Sequence, residues 1–381
     1  MATITISNTG GIWTSTAAWV GGVVPTAVDD VVATATSGPL TITSSASVAK
    51  SVDFTNYVNT LTINAGLNIA GNLTFSAGMT ITGTVGYLVF TANSTWTSNG
   101  KTWTGNYIVN TATLTITLAD DAIIGGNTTH SGGGGVHTFN GSTISFNGNV
   151  TASSGRVFAG TTTYRFTTAT TQAITGTFRS DIVIVGTGTI TLTNLIFTPT
   201  TNKTITYTSG IITQGVGTLT LTPTGALTVT LNTGGMTWNN VTLPTAASTI
   251  ILNSIFTVGG TATSTQSIIY SGTSGFDYYN FTSGVTNTRT YTFVSGVNYR
   301  IRNSILSVGG TNASRNTFNS STPGTKATLT VDQGATIDLQ YLNVTDIDSS
   351  LGREMYTRNG VLNNTLNWRL LVAPLTIGVA S

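Results

Sequence analysis

Carboxylate side chains are the first candidates for chemistry here, because glycan-cleaving enzymes use them in pairs as acid and base or acid and nucleophile. The candidates are Asp29, Asp30, Asp120, Asp121, Asp346, Asp348 and the single glutamate, Glu354. Adjacent strand residues point to opposite faces, so an Asp-Asp pair is not one dyad. Asp346 and Asp348 would share a face and form the best pair. Turn or solvent roles are still favoured, because no second class of catalytic partner is nearby. We predict no catalytic residues and a protein that is not an enzyme.

The two histidines, His130 and His137, flank a run of glycines in "HSGGGGVH". Two imidazoles can contribute to a metal site, but a third ligand is missing. Loop histidines without a special role are favoured, and we predict neither a metal nor a cofactor. The glycine run, within residues 131–136, is either a hinge or a wide loop.

An aromatic cluster, "GFDYYNF" at residues 275–281, is the best candidate for ligand binding. Tyr278 and Tyr279 could stack on sugars, with Asp277 and Asn280 beside them. Two alternatives remain open for the tyrosines. One is core packing and the other is a subunit contact, where tyrosine is favoured.

Charged residues make up only 7% of the chain, and 14 basic residues against 12 acidic ones give a net charge of +2. The cations are scattered, whereas a nucleic-acid-binding protein gathers them on one face, so no nucleic-acid partner is predicted. There is no cysteine, which excludes disulfides and thiolate metal sites. No apolar run reaches the roughly 18 residues of a membrane helix, and the N-terminus lacks a secretory signal pattern. We expect neither membrane insertion nor signal-directed export.

Short runs that alternate apolar and small polar residues, such as "TATLTITLADDAII", recur throughout and end at Gly, Asn or Asp. This pattern predicts an all-β fold with almost no helix. In a β-solenoid each inward side chain stacks on its equivalent one coil away, which threonine and asparagine tolerate and like charges do not. We predict a single-stranded, right-handed β-helix with capped ends and coils of about 20 to 25 residues. Tandem β-sandwiches are the alternative.

The opening stretch, "WTSTAAWVGGVVPTAVDDVV", concentrates bulky and charged residues where the first coil would otherwise be open. Trp13 and Trp19 can cover the apolar interior, and Pro25 lacks a backbone donor where strand pairing should stop. Asp29 and Asp30 can accept amides of a turn. We predict an N-terminal cap.

The pattern Trp-x5-Trp-x-Gly-Gly-x-x-Pro-x3-Asp-Asp-Val resembles the start of β-helical surface proteins of tailed bacteriophages and of bacterial adhesins. "NGKTWTGN" at Asn99 and "NNTLNW" at Asn363 are also similar to segments of phage virion β-helix proteins. The resemblance implies that Trp368 closes the C-terminal coils. Unlike longer relatives, the chain has no coiled coil, collagen-like repeat or separate receptor-binding head, which leaves its place on the virion open.

The resemblance implies a non-enzymatic structural protein on the virion surface, made in the host cytoplasm and released by lysis. It would be a homotrimer that contacts other virion proteins and host surface glycans, either as a head decoration or as a tail fibre or spike. A bacterial carbohydrate-binding adhesin and a polysaccharide depolymerase are the alternatives. We predict a cap and first coil at residues 1–40, a solenoid body at 41–345 and a closing segment at 346–381.

Overall fold

The structure is a computed structural model. It describes residues 1–111, 113–131, 135–153, 155–214, 218–221, 227–232, 237–238, 240–243, 248–252, 256–264, 268–283, 288–307 and 310–371. Most of the glycine run at 132–134 and the last ten positions of the predicted closing segment, 372–381, lie outside these residues.

Short β-strands make up nearly all of the regular structure. In the first half of the chain they are β1 Thr3–Thr5, β2 Gly11–Ile12, β3 Asp30–Val32, β4 Leu40–Ile42, β5 Ser47–Ala49, β6 Ser51–Asp53, β7 Thr60–Ile63, β8 Gly66–Ile69, β9 Leu73–Thr74, β10 Thr80–Thr82, β11 Tyr87–Phe90, β12 Ser94–Thr97, β13 Thr102–Trp103, β14 Asn106–Val109, β15 Leu114–Leu118, β16 Ala122–Ile124, β17 Thr128–His130, β18 Gly135–Gly141, β19 Ile144–Phe146, β20 Val150–Ala152, β21 Arg156–Gly160, β22 Tyr164–Phe166, β23 Thr171–Phe178, β24 Ile182–Ile184 and β25 Thr189–Phe197.

The second half continues the same pattern with somewhat longer strands. They are β26 Lys203–Tyr207, β27 Ile211–Gln214, β28 Thr218–Leu221, β29 Thr228–Asn232, β30 Thr237–Trp238, β31 Asn240–Thr242, β32 Ser248–Leu252, β33 Phe256–Ser264, β34 Ile268–Gly272, β35 Phe276–Ser283, β36 Thr290–Phe293, β37 Asn298–Ser307, β38 Asn316–Ser320, β39 Ala327–Val331, β40 Thr336–Leu339, β41 Leu342–Thr345, β42 Ile347–Asp348, β43 Met355–Arg358, β44 Val361–Asn363 and β45 Trp368–Leu371. Within the described residues the only helix is one 3-10 turn, Thr16–Ala18.

The strands pair in parallel and stack coil upon coil as a β-solenoid of about 14 turns. This confirms the predicted solenoid and rules out tandem β-sandwiches for the described residues, because sandwiches are built from antiparallel strands. A typical coil contributes one strand to each of three walls. For example, β17, β18 and β19 pair with β20, β21 and β22 of the next coil.

The contacts divide the chain into two compact units. The first comprises residues 1–195 and 208–213, and the second comprises residues 196–207 and 214–381. In the body of the first unit, hydrogen-bonded residues of neighbouring coils lie 20 to 24 positions apart. That spacing agrees with the predicted coil length. The predicted boundaries at 40 and 345, and the hinge near 131–136, stay predictions.

The interior is formed by side chains that alternate inward along each strand and stack on the next coil. One column runs from Leu114 through His137 and Phe158 to Phe178, each residue paired in register with the next and all of them buried. Parallel strands lie about 4.8 Å apart, so equivalent side chains meet directly. Apolar residues therefore dominate this interior, and buried polar residues are mostly uncharged.

Within the described part of the chain, no helix has the length and apolar character needed to cross a membrane.

Candidate binding surfaces

The two N-terminal tryptophans pack against each other. Trp13 and Trp19 are buried, and their rings meet edge to face with centroids 5.1 Å apart. The indole Nε1 of Trp19 donates a hydrogen bond to the carbonyl oxygen of Trp13 over 2.7 Å. Trp19 also forms an isolated antiparallel bridge with Ile6, against the parallel direction of the coils. The chain thus folds back over its first strand.

The rest of the cap follows from turn chemistry. Gly21 and Gly22 have φ angles of 81° and 67°, a conformation that glycine adopts without steric cost. Pro25 is buried in the unpaired loop that follows. Asp29 accepts hydrogen bonds from the amides of Thr26 and Ala2 over 3.1 and 2.8 Å. These bonds, led by one from the Thr26 hydroxyl, hold the pKa of Asp29 below its usual value.

The expectation that Asp30 accepts turn amides is wrong. Asp30 begins strand β3, and its carboxylate reaches across to the next coil, where it accepts a hydrogen bond from the Ser51 hydroxyl and lies 3.6 Å from Nζ of Lys50. A strand position directs the side chain away from the local turn and toward the neighbouring strand. Asp29 alone belongs to the turn.

Trp368 lies in the last described strand, β45, where it is buried and pairs in register with Met355. Asn367 precedes it with a φ of 59°, and its side-chain amide donates to the carbonyl oxygen of Ser349 over 2.9 Å. Glu354 forms an ion pair with Arg369. This geometry fits a closing role for Trp368, and it accounts for the single glutamate as one half of an ion pair.

Asp120 and Asp121 tie turns of neighbouring coils together. Asp120 accepts hydrogen bonds from the backbone amides of Ser98 and Asn99, both over 2.6 Å. Asp121 accepts one from the amide of Thr143 over 2.9 Å. Charge-assisted hydrogen bonds of this kind satisfy the backbone amides of loops. Both carboxylates therefore have the turn role that was predicted for them.

Asp346 and Asp348 do not share a strand face, contrary to expectation. Asp346 has a φ of 56° and stands at a bend between β41 and β42, so the alternation of side chains is broken there. Its carboxylate accepts hydrogen bonds from the amide of Gly324 over 2.9 Å and from the side chain of Asn364. The Gly324 bond is the main reason that the pKa of Asp346 is lowered. Asp348 accepts a hydrogen bond from the backbone amide of Ser350 over 2.8 Å, as in a local turn.

The histidines are not loop residues. His130 ends strand β17 and His137 lies within β18, and both side chains are fully buried inside the first unit. Their ring centroids are 6.0 Å apart. Burial lowers the pKa of His130 to about 4 and that of His137 to about 3, with Arg156 adding to the effect on His130 and His130 to that on His137. Both imidazoles are therefore neutral at pH 7. The described residues contain no group of three or more potential metal ligands.

The predicted aromatic cluster is divided between the interior and the surface. Tyr278 is only 2% exposed and shares a buried hydrogen bond of 3.2 Å with the hydroxyl of Tyr270, so it is a core residue, as the core-packing alternative predicts, and it cannot stack on a sugar. Tyr279 is 44% exposed. The pairing register between β35 and β37 shifts between Tyr278 and Asn280, which leaves both Tyr279 and Asn280 pointing outward. The two tyrosines lie on opposite faces because neighbouring strand residues alternate, and it is Asn280 that the irregularity turns outward beside Tyr279.

Two bidentate ion pairs lie near Tyr279: one joins its strand, β35, to β37, and the other joins β37 to the residue that follows β39. Arg302 donates from Nε to Asp277 over 2.8 Å and from Nη2 to the second carboxylate oxygen. Arg300 makes two bonds of 3.0 Å to Asp332. These two pairs, with Tyr279, Asn280 and Asn303, form what we call the Tyr279 face. Each cation there is matched by a carboxylate, so the face is polar and electrically balanced.

Asn280 is fixed within the Tyr279 face by its neighbours on β37. Its Oδ1 accepts hydrogen bonds of 2.8 Å from the amide of Asn303 and of 2.8 Å from the hydroxyl of Ser304. Fixed side chains on paired strands lose little entropy on binding a ligand. The face thus combines an exposed aromatic ring with oriented donors and acceptors.

The first unit contains a groove with a volume of about 510 Å³. It is formed by turns that follow β19, β22, β24 and β26, and its lining residues are Asn147, Arg165, Thr167, Thr168, Ala169, Thr170, Val185, Gly186, Thr187 and Ser209. Neither the cavity nor the position of Arg165 in its lining was evident from the sequence.

Glycine allows the turns of the groove to stack closely. A Cβ added at Gly188 would lie 2.0 Å from the carbonyl oxygen of Thr170, and one at Gly186 would lie 2.6 Å from that of Thr168. The amides of Thr187 and Gly188 both donate to the Thr168 carbonyl, over 3.0 and 3.1 Å. Backbone contact at this distance gives the groove a rigid floor.

No family model, curated protein or solved structure matches the chain.

Proposed function

We propose that this chain is a non-enzymatic structural protein of a bacteriophage virion, a β-solenoid exposed on the particle that contacts host glycans through the Tyr279 face. The observation that carries the glycan contact is the exposed ring of Tyr279 on a sheet that also carries two bidentate ion pairs. The ring offers a flat apolar surface to the apolar face of a sugar, and Asp277, Arg302 and Asn303 offer partners to its hydroxyl groups. The resemblance of the N-terminal pattern to phage β-helical proteins supports the virion assignment.

The balanced charge of the Tyr279 face favours a neutral saccharide. An unpaired cation would attract anionic ligands, but here the guanidinium groups of Arg300 and Arg302 are each engaged in two hydrogen bonds with a carboxylate. The charge-assisted bonds raise the pKa of both arginines, which fixes them as cations. Their remaining N–H groups can donate to sugar hydroxyls without a net charge on the ligand.

A glycan array probed with the wild-type chain and with Tyr279→Ala tests the contact. We expect the variant to bind its preferred neutral glycan about tenfold more weakly, because the stacking surface is lost. Ile269→Ala is the matched control, since Ile269 is 52% exposed on a strand of another wall of the same unit. Equal binding by wild type and Tyr279→Ala would refute the Tyr279 face as the contact.

The virion assignment is tested separately by mass spectrometry and immunogold electron microscopy of purified phage particles. The chain should be present and accessible on the particle, and light scattering should give a mass near three times 39.4 kDa for a homotrimer. Recovery in the bacterial envelope fraction, with none on particles, would support the adhesin alternative instead.

A further inference from the structure

We infer that the groove around Arg165 is a second carbohydrate site, and that it takes an acidic saccharide whose carboxylate binds the Arg165 guanidinium. This goes beyond the neutral-glycan contact proposed above, since it concerns a different unit and a different ligand chemistry. Either site can fail without affecting the other.

Arg165 is an exposed cation. Arg165 occupies an outward position of β22, between Ser145 and Val183 of the neighbouring coils, and its side chain is exposed. Among the described residues it has neither an ion-pair partner nor a side-chain hydrogen bond. The arginines of the Tyr279 face, in contrast, are both neutralised by aspartates. A guanidinium presents a planar fork of donors that matches a carboxylate, and it remains charged at any physiological pH.

The remaining polar groups of the groove fit the hydroxyls of a sugar. The hydroxyls of Thr170 and Thr187 line the groove at exposed positions, as does the amide nitrogen of Asn147. None of these three groups has a hydrogen-bond partner among the described residues. By comparison, the Ser209 hydroxyl is occupied, because it donates to the carbonyl oxygen of Gly186 over 3.0 Å. The free groups surround the single cation with neutral donors and acceptors.

The groove is large enough for a saccharide, and its floor is rigid. A volume of about 510 Å³ accommodates a short oligosaccharide. The backbone contacts of Gly186 and Gly188 fix the floor, so a ligand does not have to order a mobile loop. Inorganic phosphate is an anion like a uronic acid but lacks the ring hydroxyls. It would therefore bind the Arg165 guanidinium without contacting the hydroxyl and amide groups of the groove.

Isothermal titration calorimetry with a galacturonic-acid trisaccharide tests the inference. Its methyl ester, which has no negative charge, and inorganic phosphate are the comparison ligands. We expect the trisaccharide to bind wild type at least about tenfold more tightly than either comparison ligand. The ester cannot form the charged hydrogen-bonded pair with Arg165, and phosphate cannot make the hydroxyl contacts. Equal binding of the ester, tighter binding of phosphate, or no binding of the trisaccharide would overturn the inference.

Variants of Arg165 locate the site. Arg165→Ala should weaken trisaccharide binding at least about tenfold, and Arg165→Lys should restore only part of it, because lysine keeps the charge but not the planar fork. Lys101→Ala removes the same charge elsewhere in the first unit and should leave binding unchanged. Tyr279→Ala should also have no effect. An unchanged affinity in Arg165→Ala, with melting curves like those of wild type, would contradict the assignment.

Discussion

The hydroxyl of Tyr107 lies 2.8 Å from Nε2 of His137 in the interior of the first unit. Both side chains are completely buried, and the His137 ring packs edge to face against Phe139 with centroids 4.5 Å apart. The imidazole is thus held neutral in an apolar environment, and burial also raises the pKa of Tyr107 far above its usual value. This buried pair, with His130 beside it, makes the solenoid sensitive to acid.

We predict that the free energy of unfolding falls between about pH 7 and pH 4. The pKa of His130 is about 4 and that of His137 is about 3 in the folded chain, against 6.5 for an unperturbed histidine. Because the unfolded state binds protons first, the stability that neutral histidines provide is complete above pH 6.5 and decreases as the pH falls. Between pH 7.5 and pH 5 each histidine should account for about 2 kcal/mol. Denaturant unfolding across this range measures the loss.

His130→Phe provides the matched comparison for acid sensitivity. Among the described residues, neither ring nitrogen of His130 has a hydrogen-bond partner, and its ring centroid lies 5.3 Å from that of Phe158, so phenylalanine can take its place. The variant should unfold with about half of the wild-type pH dependence between pH 7.5 and pH 5. A pH dependence identical to that of wild type would show that His130 is not the titrating group.

Trp19 should stabilise the N-terminal cap through its ring more than through its hydrogen bond. Trp19→Phe removes the bond to the Trp13 carbonyl and should cost about 1 kcal/mol, whereas Trp19→Ala also opens a cavity and should cost about 3–5 kcal/mol. Thermal unfolding of both variants measures the difference. We also expect Trp19→Ala to aggregate on mild heating, because the end of the first coil loses its cover. Equal losses for the two variants would contradict the packing role.

Gly188 should be intolerant of any side chain. In Gly188→Ala the new Cβ would lie 2.0 Å from the Thr170 carbonyl oxygen, so the stacked turns must separate. We expect a loss of about 2–3 kcal/mol in unfolding free energy. Gly334→Ala is the control, since a Cβ at Gly334 meets nothing within 4 Å, and it should change stability by less than about 0.5 kcal/mol. A tolerated Gly188→Ala would argue against a rigid floor of the groove.

Asp346→Asn should lower stability without affecting any glycan turnover. The carboxylate accepts bonds from Gly324 and Asn364, and its lowered pKa means that this contribution is present above pH 3.8 and lost as the pH falls below it. The melting temperature of the variant should therefore approach that of wild type in acid. Asp348→Asn should have a smaller effect, since Asp348 accepts only the Ser350 amide. Turnover of a capsular glycan that either substitution abolishes would revive the depolymerase alternative.

The sequence alone was sufficient to favour the solenoid over tandem β-sandwiches and to suggest a coil of about 20 to 25 residues. Period-two alternation, turns at Gly, Asn and Asp, and a scarcity of charge are local properties, and stacking repeats them in every coil. The turn at Asp29 was also predictable, because the residues that form it are close together in the chain. These features depend on short-range chemistry.

Only the tertiary structure decided which side chains face outward. The shift in register after Tyr278 turns Asn280 outward beside Tyr279, and the positive φ of Asp346 removes it from the face of Asp348. Because His130 and His137 flank a run of glycines, the sequence indicated loop positions for two residues that belong to strands. The groove beside Arg165 arises from turns of successive coils that are distant in sequence. Strand register and the stacking of turns depend on neighbouring coils, so no local pattern specifies them.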